Sequence, residues 1–353
     1  MVLNERLRRK SSRRVTMADV AKAAGCSQAT VSLVLNDVTD VQISSELKAR
    51  VIGAARELGY GVSGPVRRSG LDGLRGSSIG FVVDQLATTP EAINAVEGAR
   101  IVSWDQDVTI LIAQSLDREK HEELAIERLL AAGVRGIIFM SVFTRSVELS
   151  SAIRQLPVPV VLLNCYTSLG EFPSIIPDEL AGGRRATAAL LERGHERIAT
   201  ITGEMFMEAA RLRLAGYRLA LSEQHVNEVP EYVVRGNWTP SSGYDATRHL
   251  MSLKTPPTAI FCQNDQMALG CLNALLDMGL KVPEDISIVG YDDSEICRQI
   301  RPQLTSVDLP HRTMGGWAIA SLSSAGPGTH AVKKADCALI NRASVQGVAM
   351  SSL

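Results

Sequence analysis

The sequence predicts an all-α helix-turn-helix head followed by an α/β body of two Rossmann-like, parallel-sheet subdomains. Three observations carry this. A dense helical pattern, MADVAKAAGCSQATVSLVLN, lies near the start (17–36). From Ile79 onward, short apolar runs alternate with amphipathic stretches. The 353 residues exceed one domain, on the usual scale of about 100–200 residues each.

The head comes first. Thr16-Met17-Ala18-Asp19 forms a capping box, a Thr N-cap with an acid three residues on. Met17, Val20, Ala21 and Ala24 then mark one helical face, and Gly25 breaks the helix. Ser27 caps a second helix with Val31, Val34 and Leu35 inward. Ser44 caps a third over 45–58, whose Leu47, Val51, Ala54, Ala55 and Leu58 close the core before Gly59. Two short helices joined by a tight turn containing glycine are the helix-turn-helix signature. The second helix turns Gln28, Ala29 and Leu33 away from the core. In this motif that position meets base edges in the major groove of double-stranded DNA. Gln28 matches adenine, and Ala29 or Leu33 a thymine methyl. Ser27, Thr30, Ser32 and Asn36 are short donors suited to phosphates, and Thr16 joins them at the head of the first helix.

Residues 62–78 are rich in Gly, Ser and Arg and read as a linker. In the body, IGFVV (79–83), TILIA (109–113), GIIFM (136–140), PVVLL (159–163), RIATIT (197–202), TAIFC (258–262) and ISIVG (286–290) are strand candidates. Their near-continuous apolarity suits parallel strands covered on both faces. The helices between them end alike, at Gly133, Gly194 and Gly279, each placed to take the left-handed position after a helix. About ten strands are too many for one small sheet, hence two subdomains. No Gly-x-Gly-x-x-Gly follows the first strand, so no nucleotide cofactor is expected, nor any other cofactor.

Charge is split along the chain. Residues 1–78 carry 13 Lys/Arg and 7 Asp/Glu, a net +6, and the remainder carries 24 and 31, a net −7. A basic arm (Arg6, Arg8, Arg9, Lys10, Arg13, Arg14) is the densest part and suits a polyanion. The six cysteines show no C-x-x-C and no pairing with histidine, which argues against a zinc site or disulfide framework. No apolar run of about 7–15 residues follows the charged start, and none reaches about 18, so no secretory signal or membrane span is expected. The expected location is the cytoplasm. The histidines are scattered, and no G-x-S-x-G elbow is present, so catalysis is not expected.

Two long motifs are similar to a known family. VTMADVAKAAGCSQATVSLVLN, continued by ISSELKARVIGAARELGY, resembles the N-terminal signature of the LacI/GalR family of bacterial transcription regulators. TPPTAIFCQNDQMALGCLNALLDMGLKVPEDISIVGYDDSE resembles its C-terminal core, and RLRLAGYRLAL its R-x-x-G-[YFW] helix. The resemblance spans about 15–348 and implies a body of the type I periplasmic-binding-protein fold. The division it implies is a basic arm (1–14), a DNA-binding domain (15–61), a hinge (62–78) and an effector-binding and dimerisation domain (79–348). Within the last, the N-subdomain takes 79–176 and 309–326, and the C-subdomain 177–308 and 327–348.

The family's hinge becomes helical on DNA and inserts a leucine into the minor groove. Counting back from Ile79 places that leucine at Leu71, with Leu74 as the alternative and Arg67 and Arg68 on phosphate. The glycine-rich PVRRSGLDGLRG departs from the usual alanine-rich hinge. The resemblance places an effector in the cleft between subdomains, at the carboxyl ends of the strands. Arg213 is the clamping arginine, Asp292 accepts hydroxyls, Asn264 and Gln266 frame the turn after TAIFC, and Asn164 follows PVVLL. Trp238 reads either as a stacking face or as a packed aromatic, and Asp265 as a helix cap rather than a ligand. The loop DQLATTPEA departs from the usual N-P-F/Y, leaving Thr88 or Thr89 in place of an aromatic.

An Asp, an Asn, an Arg and a Trp at strand ends make a polyol-binding set. The expected function is a homodimeric repressor on a pseudo-palindromic operator, controlled by a small molecule, a sugar or sugar derivative. The alternatives are a periplasmic-type sugar-binding protein without DNA function and a purine-responsive corepressor-type regulator. The scarcity of aromatics favours an effector smaller or more polar than a purine.

Overall fold

The computed structural model describes residues 17–35, 43–58, 78–86, 90–104, 107–323, 325, 328 and 330–348. Their contacts divide them into two units, one up to Arg68 and one from Ser69 on. The first holds α1 (Met17–Ala24), α2 (Gln28–Leu35) and α3 (Ser45–Leu58). Val20, Ala21, Ala24, Val31, Val34, Val51, Ala54 and Ala55 form its core. Gly25, at φ +65°, takes the left-handed conformation that ends α1. Ser27 Oγ then accepts from the Thr30 amide at 3.1 Å and starts α2; Ser44 does the same for α3 through Leu47, at 3.3 Å. Thr16 of the expected capping box lies outside the described residues, as do the side chains of Leu35 and Leu58.

The second unit runs β1 (Ser78–Val83), α4 (Glu91–Ser103), β2 (Thr109–Gln114), α5 (Glu119–Ala131), β3 (Val134–Ser146), α6 (Ser151–Arg154), β4 (Val160–Tyr166), β5 (Ser174–Pro177), α7 (Glu179–Leu191) and β6 (Ile198–Thr202). It continues with α8 (Glu208–Glu223), β7 (Val233–Arg235), α9 (Pro240–Met251), β8 (Ala259–Cys262), α10 (Asp265–Asp277), β9 (Ser287–Asp292), α11 (Ile296–Gln299), β10 (Thr305–Asp308), α12 (His311–Leu322), β11 (Val332–Ala335) and β12 (Leu339–Ile340). Two six-stranded sheets result, ordered β11-β5-β4-β3-β1-β2 and β12-β10-β9-β8-β6-β7. All described pairings are parallel except β12 with β10. Each sheet has an apolar layer on both faces, as the continuous apolarity of its central strands requires.

The strands that the hydrophobic runs missed are short or polar: SIIP (β5), VVR (β7), TSVD (β10), VKKA (β11) and LI (β12). They extend the sheets at their edges. One of them moves an expected boundary: β11 pairs with β5 in the first sheet, so residues up to Ala335 belong with the N-subdomain rather than ending at 326. The chain therefore changes sheet three times, at 177–179, 308–311 and 335–339. Tyr166, at the end of β4, donates to both carboxylate oxygens of Glu208 at the start of α8, at 3.1 and 3.0 Å. The carboxyl ends of the two sheets thus face one another across a cleft.

The close packing of α7 on α8 positions the charged groups of that cleft. A Cβ on Gly183 would sit 2.3 Å from the Arg213 carbonyl, and one on Gly216 2.3 Å from the Leu180 carbonyl. Only glycine permits that approach, and it brings Glu179, the first residue of α7, beside Arg213 in α8.

Candidate functional site

On α2, Val31 and Val34 are buried, whereas Ser27, Gln28 and Ala29 are exposed; Thr30, Ser32 and Leu33 are half-buried. The base-reading candidates Gln28 and Ala29 therefore lie at the open N-terminal end of the helix, while Leu33 is less outward than its spacing implied. Ser27 Oγ is engaged as the cap and also meets Thr30 Oγ1 at 2.9 Å. Thr16, Asn36, Arg67, Arg68, Leu71 and Leu74 lie outside the described residues.

In the cleft, Arg213 is buried, with Nε and Nη2 donating to the two oxygens of Glu179 at 2.7 and 3.0 Å. Its Nη1 donates to the Gln263 carbonyl at 2.5 Å and lies 3.6 Å from Asp292 Oδ1. The guanidinium stacks 3.7 Å from the Tyr291 ring centroid and 5.7 Å from that of Trp238. Desolvation pulls this arginine down, but the neighbouring charges, Glu179 foremost, outweigh it and hold the group above its ordinary value, fully protonated. Burial lifts the Asp292 carboxyl well above the usual carboxylate range against the pull of Arg213, and it lifts the Tyr291 phenol too.

The indole of Trp238 lies against Gly203 at the end of β6, where a Cβ would come within 1.8 Å of the ring. Asn264 Nδ2 donates to the Trp238 carbonyl at 3.0 Å, and its Oδ1 accepts from the Met267 amide at 2.8 Å. Asn264 is thus the N-cap of α10, the role expected of Asp265. Asp265 instead lies buried, accepting from the hydroxyls of Ser294 and Ser306 at 2.8 and 2.6 Å. Gln266 is exposed on the first turn of α10, whereas Gln263 is buried and its carbonyl accepts from Arg213. Asn164 lies in the other sheet, with its amide spent inside that subdomain. Oδ1 accepts from Thr144 at 2.7 Å, and Nδ2 donates to the carbonyls of Ser141 and Val142 at 2.9 and 2.8 Å. Thr88 and Thr89 are outside the described residues.

The structure therefore brings Arg213, Asp292, Trp238 and Asn264 together and leaves Gln266 aside. Asn164, Trp238 and Asp292 hold left-handed backbone, at φ 58°, 69° and 104°. Non-glycine residues take that conformation at a cost, and such strain clusters at ligand sites. Glu179, Tyr291 and Gln263 also meet Arg213, and sequence reading missed them. Tyr291 adjoins Asp292 and Gln263 adjoins Asn264 in the sequence, whereas nothing near Glu179 marks it.

Comparison with known proteins places these features. Residues 16–62 match the family described as bacterial regulatory proteins, lacI family, and residues 187–345 match a periplasmic binding protein-like domain. The ribose operon repressor of Escherichia coli (strain K12) is 34% identical over 304 residues, covering 86% of this chain and 91% of that protein. The chain belongs to the LacI family of bacterial transcriptional regulators. A second relative, the HTH-type transcriptional repressor CytR of the same organism, is 32% identical over 346 residues, covering 96% of this chain and 99% of that protein. Among solved structures, a transcriptional regulator CelR–cellobiose complex aligns with a TM-score of 0.63 at 30% identity, covering 94% of this chain and 100% of that one. The lac repressor dimer bound to operator and the anti-inducer ONPF aligns at 0.63 and 27%, covering 95% and 100%. As a member of the LacI family, the chain is a DNA-binding transcriptional repressor regulated by an effector.

Proposed function

We propose that the chain works as a cytoplasmic homodimer on a pseudo-palindromic operator, reading bases with Gln28 and Ala29, and that a carbohydrate in the cleft controls its affinity for DNA. It binds without turnover. The observation that carries the reading is Arg213, held as a cation by Glu179 at the carboxyl ends of the second sheet, 3.6 Å from Asp292 and beside the Trp238 indole. A buried arginine, an acceptor and an aromatic face are the groups that hold a polyol. The relative with ribose in its name and the structure with cellobiose supply the first probes.

Closing the cleft on a ligand shifts one subdomain against the other, and the linker passes that shift to the head. Coupling is reciprocal, so operator binding changes effector affinity by the factor with which effector changes operator affinity. The test is Asp292→Ala, measured by operator capture with and without D-ribose and cellobiose. The reading expects capture to persist while the response to sugar is lost; an unchanged response would remove Asp292 from the site.

A further inference from the structure

Asp292 and Asp293 are consecutive non-glycine residues with left-handed backbone, at φ 104° and 47°. Such backbone costs free energy and persists only where its surroundings over-determine it. Side chains from several elements hold this turn after β9. Ser306 Oγ, on β10, accepts from the Asp293 amide at 3.1 Å. Asp265 Oδ2 accepts from the Ser294 amide and hydroxyl at 2.8 Å each. The Asp293 carboxylate, 7% exposed, meets two arginines. Arg298 Nη2, from α11, donates to Oδ2 at 2.6 Å. Arg342 Nη2 lies 2.6 Å from Oδ1, an ion pair without the alignment of a hydrogen bond.

Arg342 differs from the other holds. The Arg298 side chain is exposed and belongs to the helix that follows the turn. The Arg342 side chain is only 9% exposed and comes from the run after β12. That run is itself pinned. Arg342 Nη1 donates to the Leu304 carbonyl at 2.8 Å, and its amide to Thr305 Oγ1 at 2.9 Å. Ser344 Oγ accepts from the Thr305 amide at 2.8 Å and donates to the Ile288 carbonyl at 2.7 Å. The run thus meets β10 at its first residue, the end away from the cleft. From there the guanidinium reaches the turn at the carboxyl end of β9. Removing one partner of a buried charge pair strands the other, so the two side chains hold each other in place. One residue before Asp293, Asp292 Oδ1 lies 3.6 Å from Arg213 Nη1. Contacts therefore run from Arg342 through Asp293 and the backbone of the turn to Asp292.

We propose that Arg342 is a positioning residue for effector binding: through Asp293 it fixes the left-handed turn that sets Asp292 against Arg213. The proposal rests on the reading of Asp292 as an effector contact. It gives control of that contact to a run anchored at the far end of the sheet. A lysine at this position supplies the charge but not the fork that reaches both Leu304 and Asp293. The geometry of the pair carries the role along with its charge.

On the full chain, amide hydrogen exchange reads the turn, and calorimetry with D-ribose and cellobiose reads the contact. Arg342→Met removes the charge and keeps the length. It should speed exchange at the Asp293 and Ser294 amides by about tenfold or more, since stranding one partner of a buried pair is strongly disfavoured. It should weaken whichever sugar the unaltered chain binds by a similar factor, while the amides of β6 and α8 keep their rates. Arg342→Lys should restore part of both changes. Arg342→Met combined with Asp293→Asn should lose less than the two single variants added together, because both act through one pair. Ligand-free melting curves report folding; if Arg342→Met does not fold, Arg342→Lys and Asp293→Asn must show the same local changes. Exchange that speeds throughout the second unit makes Arg342 a general brace and overturns the proposal, as do unchanged rates at the turn or additive losses. Loss of the sugar response in Asp292→Ala with unchanged sugar affinity in Arg342→Met refutes Arg342 alone. No binding of either sugar to the unaltered chain defeats the reading of Asp292, and the positioning role with it.

Discussion

His311 enters α12 where the chain returns from the second sheet to the first, and burial sets its chemistry. Its ordinary value of 6.5 falls to about 4 because the charged form loses its hydration. Between those values the unfolded chain takes up a proton that the folded chain refuses. Stability is therefore fully present above about 6.5 and falls as the pH drops towards 4. The contribution is about 3 kcal/mol. His311→Gln removes it, so the difference in urea midpoint between wild type and variant should grow against the wild type across that window; a difference independent of pH would show that the ring is not held neutral. Nothing in RGHERI or LPHRT distinguishes one histidine from another. His195 is also buried, but it meets Thr258, Ser287 and the Gln346 carbonyl at 3.0 Å each. The motif-bearing residues Arg213 and Asp292 were legible because they sit inside long patterns. Glu179 was not, since only the fold brings positions so far apart together. The left-handed backbone at Trp238 and Asp292 was hidden for another reason: sequence announces that conformation through glycine.

Helix ends were the most legible elements. Gly133, Gly194 and Gly279 all adopt positive φ, and the caps at Ser27 and Ser44 form as their spacing implied. Close helix contacts were less legible, because a glycine inside a helical pattern reads first as a weak position. Gly216 shows the difference. A Cβ there would lie 2.3 Å from the Leu180 carbonyl and 2.5 Å from the Arg184 amide, both backbone atoms. Gly216→Ala must push α8 from α7, at a cost of about 1–3 kcal/mol as in other overpacked sites. Arg213 rides on the same helix, so sugar binding should weaken as well. Gly53, in α3, is the contrast: a Cβ there meets nothing within 4 Å. Gly53→Ala should stabilise its helix by about 0.5–1 kcal/mol through backbone entropy. Denaturant midpoints of the two variants should move in opposite directions, and a shift of the same sign would refute the packing argument for Gly216.

For the second unit taken whole, the strand TILIA carries the last argument. Its apolarity predicts a strand covered on both faces, yet β2 is the edge of its sheet and Ile112 is 44% exposed. The neighbouring helices repeat the mismatch, with Ile93 and Ile101 on α4, Trp104 just after it and Leu124 on α5 all exposed. An exposed edge with apolar neighbours is an unfinished surface. A two-fold axis completes it with the same surface of a second copy, and the paired heads of a repressor need such a joint. Ile112→Asp combined with Leu124→Asp should therefore reduce the sedimenting mass towards the 38.0 kDa chain, with the melting curve of the second unit kept. Operator affinity should fall steeply, because one helix-turn-helix then binds without its partner. Leu276→Asp is the control, since Leu276 is 74% exposed on α10 in the other subdomain, away from this face. It should change neither mass nor affinity. If the double variant keeps the mass of a dimer, the apolar edge is not the joint; if it dissociates while operator affinity is unchanged, the operator is read by single heads.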